Sequence, residues 1–111
     1  MRWYERLYLG EKAKKNRFHI LQAVRKEKSS GYYILTPASN PKNLLDIYSA
    51  HTLNQPYYKK QDLLIVGVAA DYDDAAILAG TIIADVYKKT GGYDVNGFLA
   101  KRDREIAKQK E

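Results

Sequence analysis

The sequence predicts a small α/β domain of two or three layers, in the order α-β-α-β-α, built on a thin, mostly parallel sheet. Three observations predict it. Residues 62–69 read as a strand that is an unbroken apolar run from Leu63 onward, the mark of a strand buried on both faces. Residues 72–90 repeat apolar side chains at helical spacing. Residues 32–36 are aromatic and β-branched, a second strand. A helix between these two strands implies a right-handed crossover and parallel pairing.

Residues 2–28 read as helix. Trp3, Tyr4, Leu7 and Tyr8 form an apolar face in the first turns, and Ile20, Leu21 and Val24 form another. The stretch between is polar and rich in helix formers, and Gly10 is where the segment divides into two helices. Ser29, Ser30 and Gly31 end it. After the strand at 32–36, stopped by Pro37, Asn40 reads as an N-cap and Pro41 as the first helical residue. That helix runs to about Ala50, with Leu44, Leu45, Ile47 and Tyr48 facing inward. Residues 51–60 read as loop.

Asp71 caps the helix at 72–90, with Asp74 three residues on in an approximate capping box. Ala75, Leu78, Ala79, Ile82, Ile83, Val86 and Tyr87 form its core face. Its other side holds Ile77, Gly80, Thr81 and Ala84, small enough for a second helix or a second subunit to approach closely. Lys88 and Lys89 suit the negative end of the helix dipole, and Gly91-Gly92 closes it. Residues 93–99 read as a short third strand at the sheet edge, and residues 100–111 as a charged helical tail.

The 111 residues fit a single domain with a basic helical segment (1–30), an α/β body (31–99) and the charged tail (100–111). The net charge of +6 is unevenly placed: residues 1–30 carry nine Lys/Arg against three Asp/Glu, whereas residues 31–100 carry five Lys against seven Asp. No cysteine is present, which excludes disulfides, thiolate metal sites and cysteine nucleophiles. The opening residues are charged and lack the apolar core of a signal peptide, and no apolar run reaches the ~20 residues of a membrane span. The expectation is a cytoplasmic protein with no membrane partner.

Two constellations could carry chemistry. In the parallel arrangement the carboxyl ends of both strands open on one edge, where α/β sheets bind ligands. Thr36, Ser39 and Asn40 line one side of that crevice, with a helix N-terminus beside them that attracts anions. Asp71, Tyr72 and Asp73 line the other. Together they suit a polar small molecule, or a phosphate through Mg²⁺. The simpler reading accounts for most of these residues with no ligand at all: Asn40 and Asp71 are good N-caps, and Asp73 and Asp74 lie where the helix dipole favours acids. No glycine-rich phosphate loop, metal-ligand spacing or cofactor fingerprint is present, so no cofactor or metal is assigned. His51, close in sequence to Tyr57 and Tyr58, is a candidate general base or simply a residue suited to a helix end.

The second constellation is basic and aromatic. Lys12, Lys14, Lys15, Arg17, Arg25, Lys26 and Lys28 form a basic helix that could track phosphates, and Tyr57, Tyr58, Lys59 and Lys60 join stacking rings to positive charge. A solvated helix face and a tyrosine-lined core margin would produce the same pattern. The chain has ten tyrosines, a residue that favours interfaces.

The stretch from Tyr33-Ile34-Leu35-Thr36-Pro37-Ala38-Ser39-Asn40 through Asn43-Leu44-Leu45-Asp46-Ile47, with Leu64 to Ala69 and the helix from Tyr72, resembles a family of short bacterial proteins of unknown function from anaerobic Gram-positive organisms. The resemblance implies no activity or site residues. Three functions stay open: a non-enzymatic, self-associating interaction module, a nucleic-acid binder using the basic helix, and a ligand-binding or enzymatic site in the crevice.

Overall fold

The computed structural model describes residues 2–40 and 42–109, the side chains of Lys59 and of residues 103–109 excepted. The elements are β1 (Arg2–Leu9), α1 (Glu11–Lys15), α2 (Arg17–Arg25), β2 (Tyr33–Pro37), β3 (Leu45–Ser49), α3 (Ala50–Leu53), α4 (Pro56–Lys59), β4 (Leu64–Ala69), α5 (Tyr72–Thr90) and α6 (Val95–Gln109). The four strands form one mixed sheet in the order β1-β4-β2-β3. Only β1 and β4 run parallel, and both other pairs are antiparallel.

The strand at 64–69 and the helix at 72–90 form as expected. Every residue of β4 is buried, with helices packed on both faces of the sheet. Leu64, Val66 and Ala69 pack with Leu78, Ile82 and Val86 of α5 and Val95 and Leu99 of α6. Ile65 and Val68 pack with Ala13, Ile20 and Val24 of α1 and α2 and with Leu53 of α3. Asp71 caps α5 by accepting from the Asp74 amide at 2.8 Å, and Gly91 closes it in the left-handed conformation, φ 75°.

Five expectations are corrected. First, residues 2–9 are a strand, so the chain opens on β and the α-β-α-β-α order does not hold. Tyr4 and Tyr8 stand four apart, a spacing that serves a helix face and a strand face alike. The packing decides: both rings lie against α5 and α6, stacked at 6.4 Å, while Leu7 and Leu9 turn to the α1/α2 side. Second, residues 45–49 are a strand, and β2 and β3 form a hairpin from Tyr33↔Ser49 to Pro37↔Leu45. Asn40 starts a turn: its side chain accepts from the Lys42 amide and its carbonyl from the Asn43 amide. The same short side chain that caps helices makes such turns. Its proposed successor Pro41 lies outside the described residues. Third, that extra strand reverses the chain, so β2 meets β4 antiparallel and the sheet is not mostly parallel. Fourth, residues 93–99 hold the start of α6, not a third strand. Asp94 accepts from the Gly97 amide at 3.1 Å, a helix cap. Fifth, the loop expected at 51–60 holds two short helices, α3 capped by Ser49 and α4 opened by Pro56.

One buried carboxylate joins these pieces. Asp74, only 3 % exposed, accepts from the amides of Lys12 (3.2 Å), Ala13 (3.2 Å) and Ala70 (3.0 Å). It thereby caps the first turn of α1 from within α5. Gly10 is the residue between β1 and α1 because a Cβ there would overlap the Asp74 carboxylate. We expect Gly10→Ala to lower the unfolding free energy by about 2–3 kcal/mol in urea denaturation, the cost of overpacking a site that cannot yield.

The end of α2 carries backbone strain. Lys28 donates its amide to the Ala23 carbonyl and Glu27 to that of Val24, a Schellman pair. Glu27 occupies the left-handed position of that motif, at φ 53°, where glycine is usual. Glu27→Gly should raise the unfolding free energy by about 0.5–1 kcal/mol, read from the urea midpoint at unchanged slope.

Candidate functional site

The antiparallel pairing of β2 and β4 takes the expected crevice apart. Tyr33, at the start of β2, pairs with Ala69 at the end of β4. Asp71, Tyr72 and Asp73 therefore follow the strand end beside Tyr33, and Tyr72 sets its ring edge-on to Tyr33 at 6.1 Å. Thr36 lies near the other end of β2, and Ser39 and Asn40 lie past that end, which is roughly 13 Å along the strand from Tyr33 at about 3.3 Å per residue. Each of these groups already has a partner. Thr36 is buried and donates to the Pro37 carbonyl, and Ser39 donates its amide (3.0 Å) and hydroxyl (2.9 Å) to Asp46. Asn40 is engaged in its turn.

The two constellations instead meet at one contact. Lys12 donates to Asp71 at 2.8 Å, which raises the lysine pKa and, with the Asp74 amide, holds the Asp71 carboxyl below its usual range. Lys14 pairs with Glu11 at 3.1 Å. Lys15 and Arg17 are exposed. Tyr57 is exposed, while Tyr58 is half-buried against Tyr48, ring centres 5.2 Å apart. Lys60 is exposed, and the Lys59 side chain lies outside the described residues. His51 is exposed on α3. Among the described residues no group of three or more His, Asp or Glu could hold a metal ion.

The geometry draws attention to the outward side of α5. A groove of about 760 Å³ runs between this helix and Tyr8 of β1, lined by Gly80, Thr81, Ile83, Ala84, Asp85, Tyr87, Lys88 and Tyr93. Tyr87 was expected in the core, but its ring is half-exposed and stacks on Tyr93 at 5.0 Å. It forms one wall of the groove. Across the groove, the Tyr8 hydroxyl donates to Asp85 at 2.5 Å, and Lys89 donates to the same oxygen at 3.1 Å. Burial, then the Asp85 carboxylate, pushes the Tyr8 phenol pKa far up. The Tyr8 hydrogen bond, with help from Lys89, holds Asp85 below the usual carboxylate range. A phenol held neutral and a carboxylate engaged by two donors form a locked pair, suited to fixing a wall rather than moving a proton.

Along the outermost ridge of α5 lie Asp73, Ile77, Gly80, Ala84 and Lys88, all exposed and spaced at three and four residues. Ile77 is 67 % exposed, in the second turn of a helix whose opposite side is the core. Ile77, Gly80, Thr81 and Ala84 were legible in the sequence as a small-residue side. Tyr8 and Asp85 were not, although Asp85 four residues before Lys89 is a helical ion-pair signal. Tyr8 escaped because its segment read as helix.

No protein-family model, curated protein or solved structure matches the chain.

Tyr8→Phe removes the donor and leaves Asp85 with Lys89. We expect a loss of about 1–2 kcal/mol at neutral pH, as for a hydrogen bond to a charged group. Asp85 has its folded pKa below the unfolded value, so its contribution is full above about pH 5 and fades as pH falls. Tyr8 has its folded pKa above the unfolded value near 10, so its contribution is full below about pH 9 and fades as pH climbs. The stability gap between wild type and Tyr8→Phe, measured in urea, should form a plateau between those limits and narrow on either side.

Proposed function

We propose that the protein is a non-enzymatic interaction module that associates with a second copy of itself through the outward ridge of α5. One observation carries the reading: the ridge is self-complementary. It begins with an acid, Asp73, ends with a base, Lys88, and between them is apolar or small. Two such helices crossing antiparallel set Gly80 beside Thr81, Ile77 beside Ala84, and Asp73 beside Lys88 at both ends. The contact is isologous, as a two-fold dimer requires. Gly80 has nothing within 4 Å of a Cβ position, so the helix backbone is open to close approach there. The exposed side of Ile77 gains burial, and the aromatic wall of Tyr87 and Tyr93 borders the seam. The ridge from Asp73 to Lys88 is about 22 Å long at 1.5 Å per residue, long enough for a continuous helix–helix seam.

The charge pattern gives the test. An exposed ion pair contributes about 0.2–1 kcal/mol, and symmetry counts each pair twice. Asp73→Lys and Lys88→Glu, each replacing two attractions by two repulsions, should weaken the dimer about tenfold or more in sedimentation equilibrium. The doubly exchanged variant should recover the wild-type constant. A chain that stays monomeric at high concentration, or an exchange that fails to restore association, would contradict the reading.

A further inference from the structure

On the opposite face of the sheet from α5, a pocket of about 450 Å³ opens along α2 and the turn that follows it. Its lining includes Phe18, His19, Gln22, Lys26, Lys28 and Ser30, and none of the described residues that line it is a carboxylate. Phe18 is 78 % exposed, the highest value among the exposed large apolar side chains of the described residues. Phe18, Gln22 and Lys26 follow one another at four-residue steps, so a ring, an amide and a cation are aligned along one side of the helix. The left-handed turn at Glu27 reverses the chain, and Lys28 thereby joins Lys26 in the same pocket. The turn is held in place: Asn54 donates to the Lys28 carbonyl at 2.8 Å and also to the Tyr32 hydroxyl at 3.0 Å. Strain kept in a side-chain-bearing residue beside a pocket is a recurring property of ligand sites.

We infer that this pocket binds a nucleotide, as a free nucleoside phosphate or as one unit of a single strand. The base stacks on Phe18, Gln22 meets a polar edge of base or sugar, and the phosphate lies between Lys26 and Lys28. Base–aromatic stacking combined with a cationic track is how single-strand binders hold their ligands. The volume is within the about 300–1,000 Å³ of small-molecule sites. An acidic peptide would use the lysines but leave Phe18 without a role. The site differs from the basic cluster at Lys12 and Lys14, whose charges are matched by Asp71 and Glu11. It is independent of the α5 ridge, because α2 packs on the other layer of the core.

Titration calorimetry with ATP, a short oligouridylate, adenosine and inorganic tripolyphosphate tests the assignment. ATP or the oligouridylate should bind, and Phe18→Ala should weaken that binding about tenfold while leaving tripolyphosphate unchanged. Lys26→Glu combined with Lys28→Glu should weaken it as much and flatten its salt dependence. All three side chains are exposed, so the thermal midpoints of the variants should match wild type and report a folded protein. Binding of ATP identifies a free nucleotide, and binding of the oligouridylate alone identifies a strand. Absence of binding by both at millimolar concentration, tripolyphosphate binding as tight as ATP, or an unchanged affinity in Phe18→Ala would overturn the inference. The α5 charge variants should bind as wild type does, which separates this result from the fate of the dimer.

Discussion

The Asp74 carboxylate is the constraint on which the rest of the arrangement depends. A buried charge is costly unless its hydrogen-bonding capacity is filled. Here three backbone amides fill it, two from α1 and one from the segment leaving β4. Charge-assisted bonds of this kind are worth about 1.5–3 kcal/mol each. They also explain why α1 exists at all. A five-residue helix cannot sustain itself in water, and the free amides of its first turn need an acceptor. Asp74 supplies one from a helix that begins some sixty positions later in the chain. Gly10 then follows as a steric necessity at the join between β1 and α1.

With its first turn anchored, α5 cannot roll on the sheet. Leu78, Ile82 and Val86 lie against β4 and β2, and Gly67 lets Leu78 come close to the strand, 3.1 Å from a Cβ position. The opposite ridge must then face outward, carrying Asp73, Ile77, Gly80, Ala84 and Lys88 into solvent. The locked Tyr8–Asp85 pair fixes the wall beside that ridge. The far layer is fastened separately, through Asn54 to Lys28 and Tyr32, so the α2 pocket and the α5 ridge are built on different supports. A further clamp joins the end of β2 to α6: Asn96 gives and receives a hydrogen bond with the Ala38 backbone, both 2.9 Å.

The legible parts of the sequence were those where one physical signal acts alone. The apolar run of β4 has no helical alternative of that length, and α5 has a cap, a period and a glycine stop that agree. The strand at Tyr33–Pro37 had β-branched and aromatic residues bounded by glycine and proline. The misread parts carried signals with two meanings. Tyr4 and Tyr8 at a four-residue spacing fit a strand and a helix equally, and only packing against Leu99 and Val95 separates them. Asn40 before Pro41 is the start of a helix in one context and of a turn in another. That single misreading turned β3 into a helix, made β2 and β4 parallel, and assembled a crevice from loops at opposite sheet ends. The capping reading of Asp71 was correct, while Asp74 had a larger role than a local cap because its partners are distant in sequence. The Phe18 pocket left no trace in the periodicity, since an exposed phenylalanine on a polar helix resembles a misplaced core residue.

The ridge of α5 is the central functional claim, and the lack of cysteine in the chain makes it directly accessible. Gly80→Cys places one thiol at the predicted crossing, where a Cβ meets nothing within 4 Å. Lys15→Cys on α1, in the other layer, supplies the control. Disulfide formation requires the two Cα atoms to come within about 7 Å, and association raises the local thiol concentration toward millimolar. At micromolar protein under mild oxidant, the Gly80→Cys chain should form a covalent dimer at least about tenfold faster than the Lys15→Cys chain. Equal rates, or cross-linking only in the control, would show that the α5 ridges do not meet.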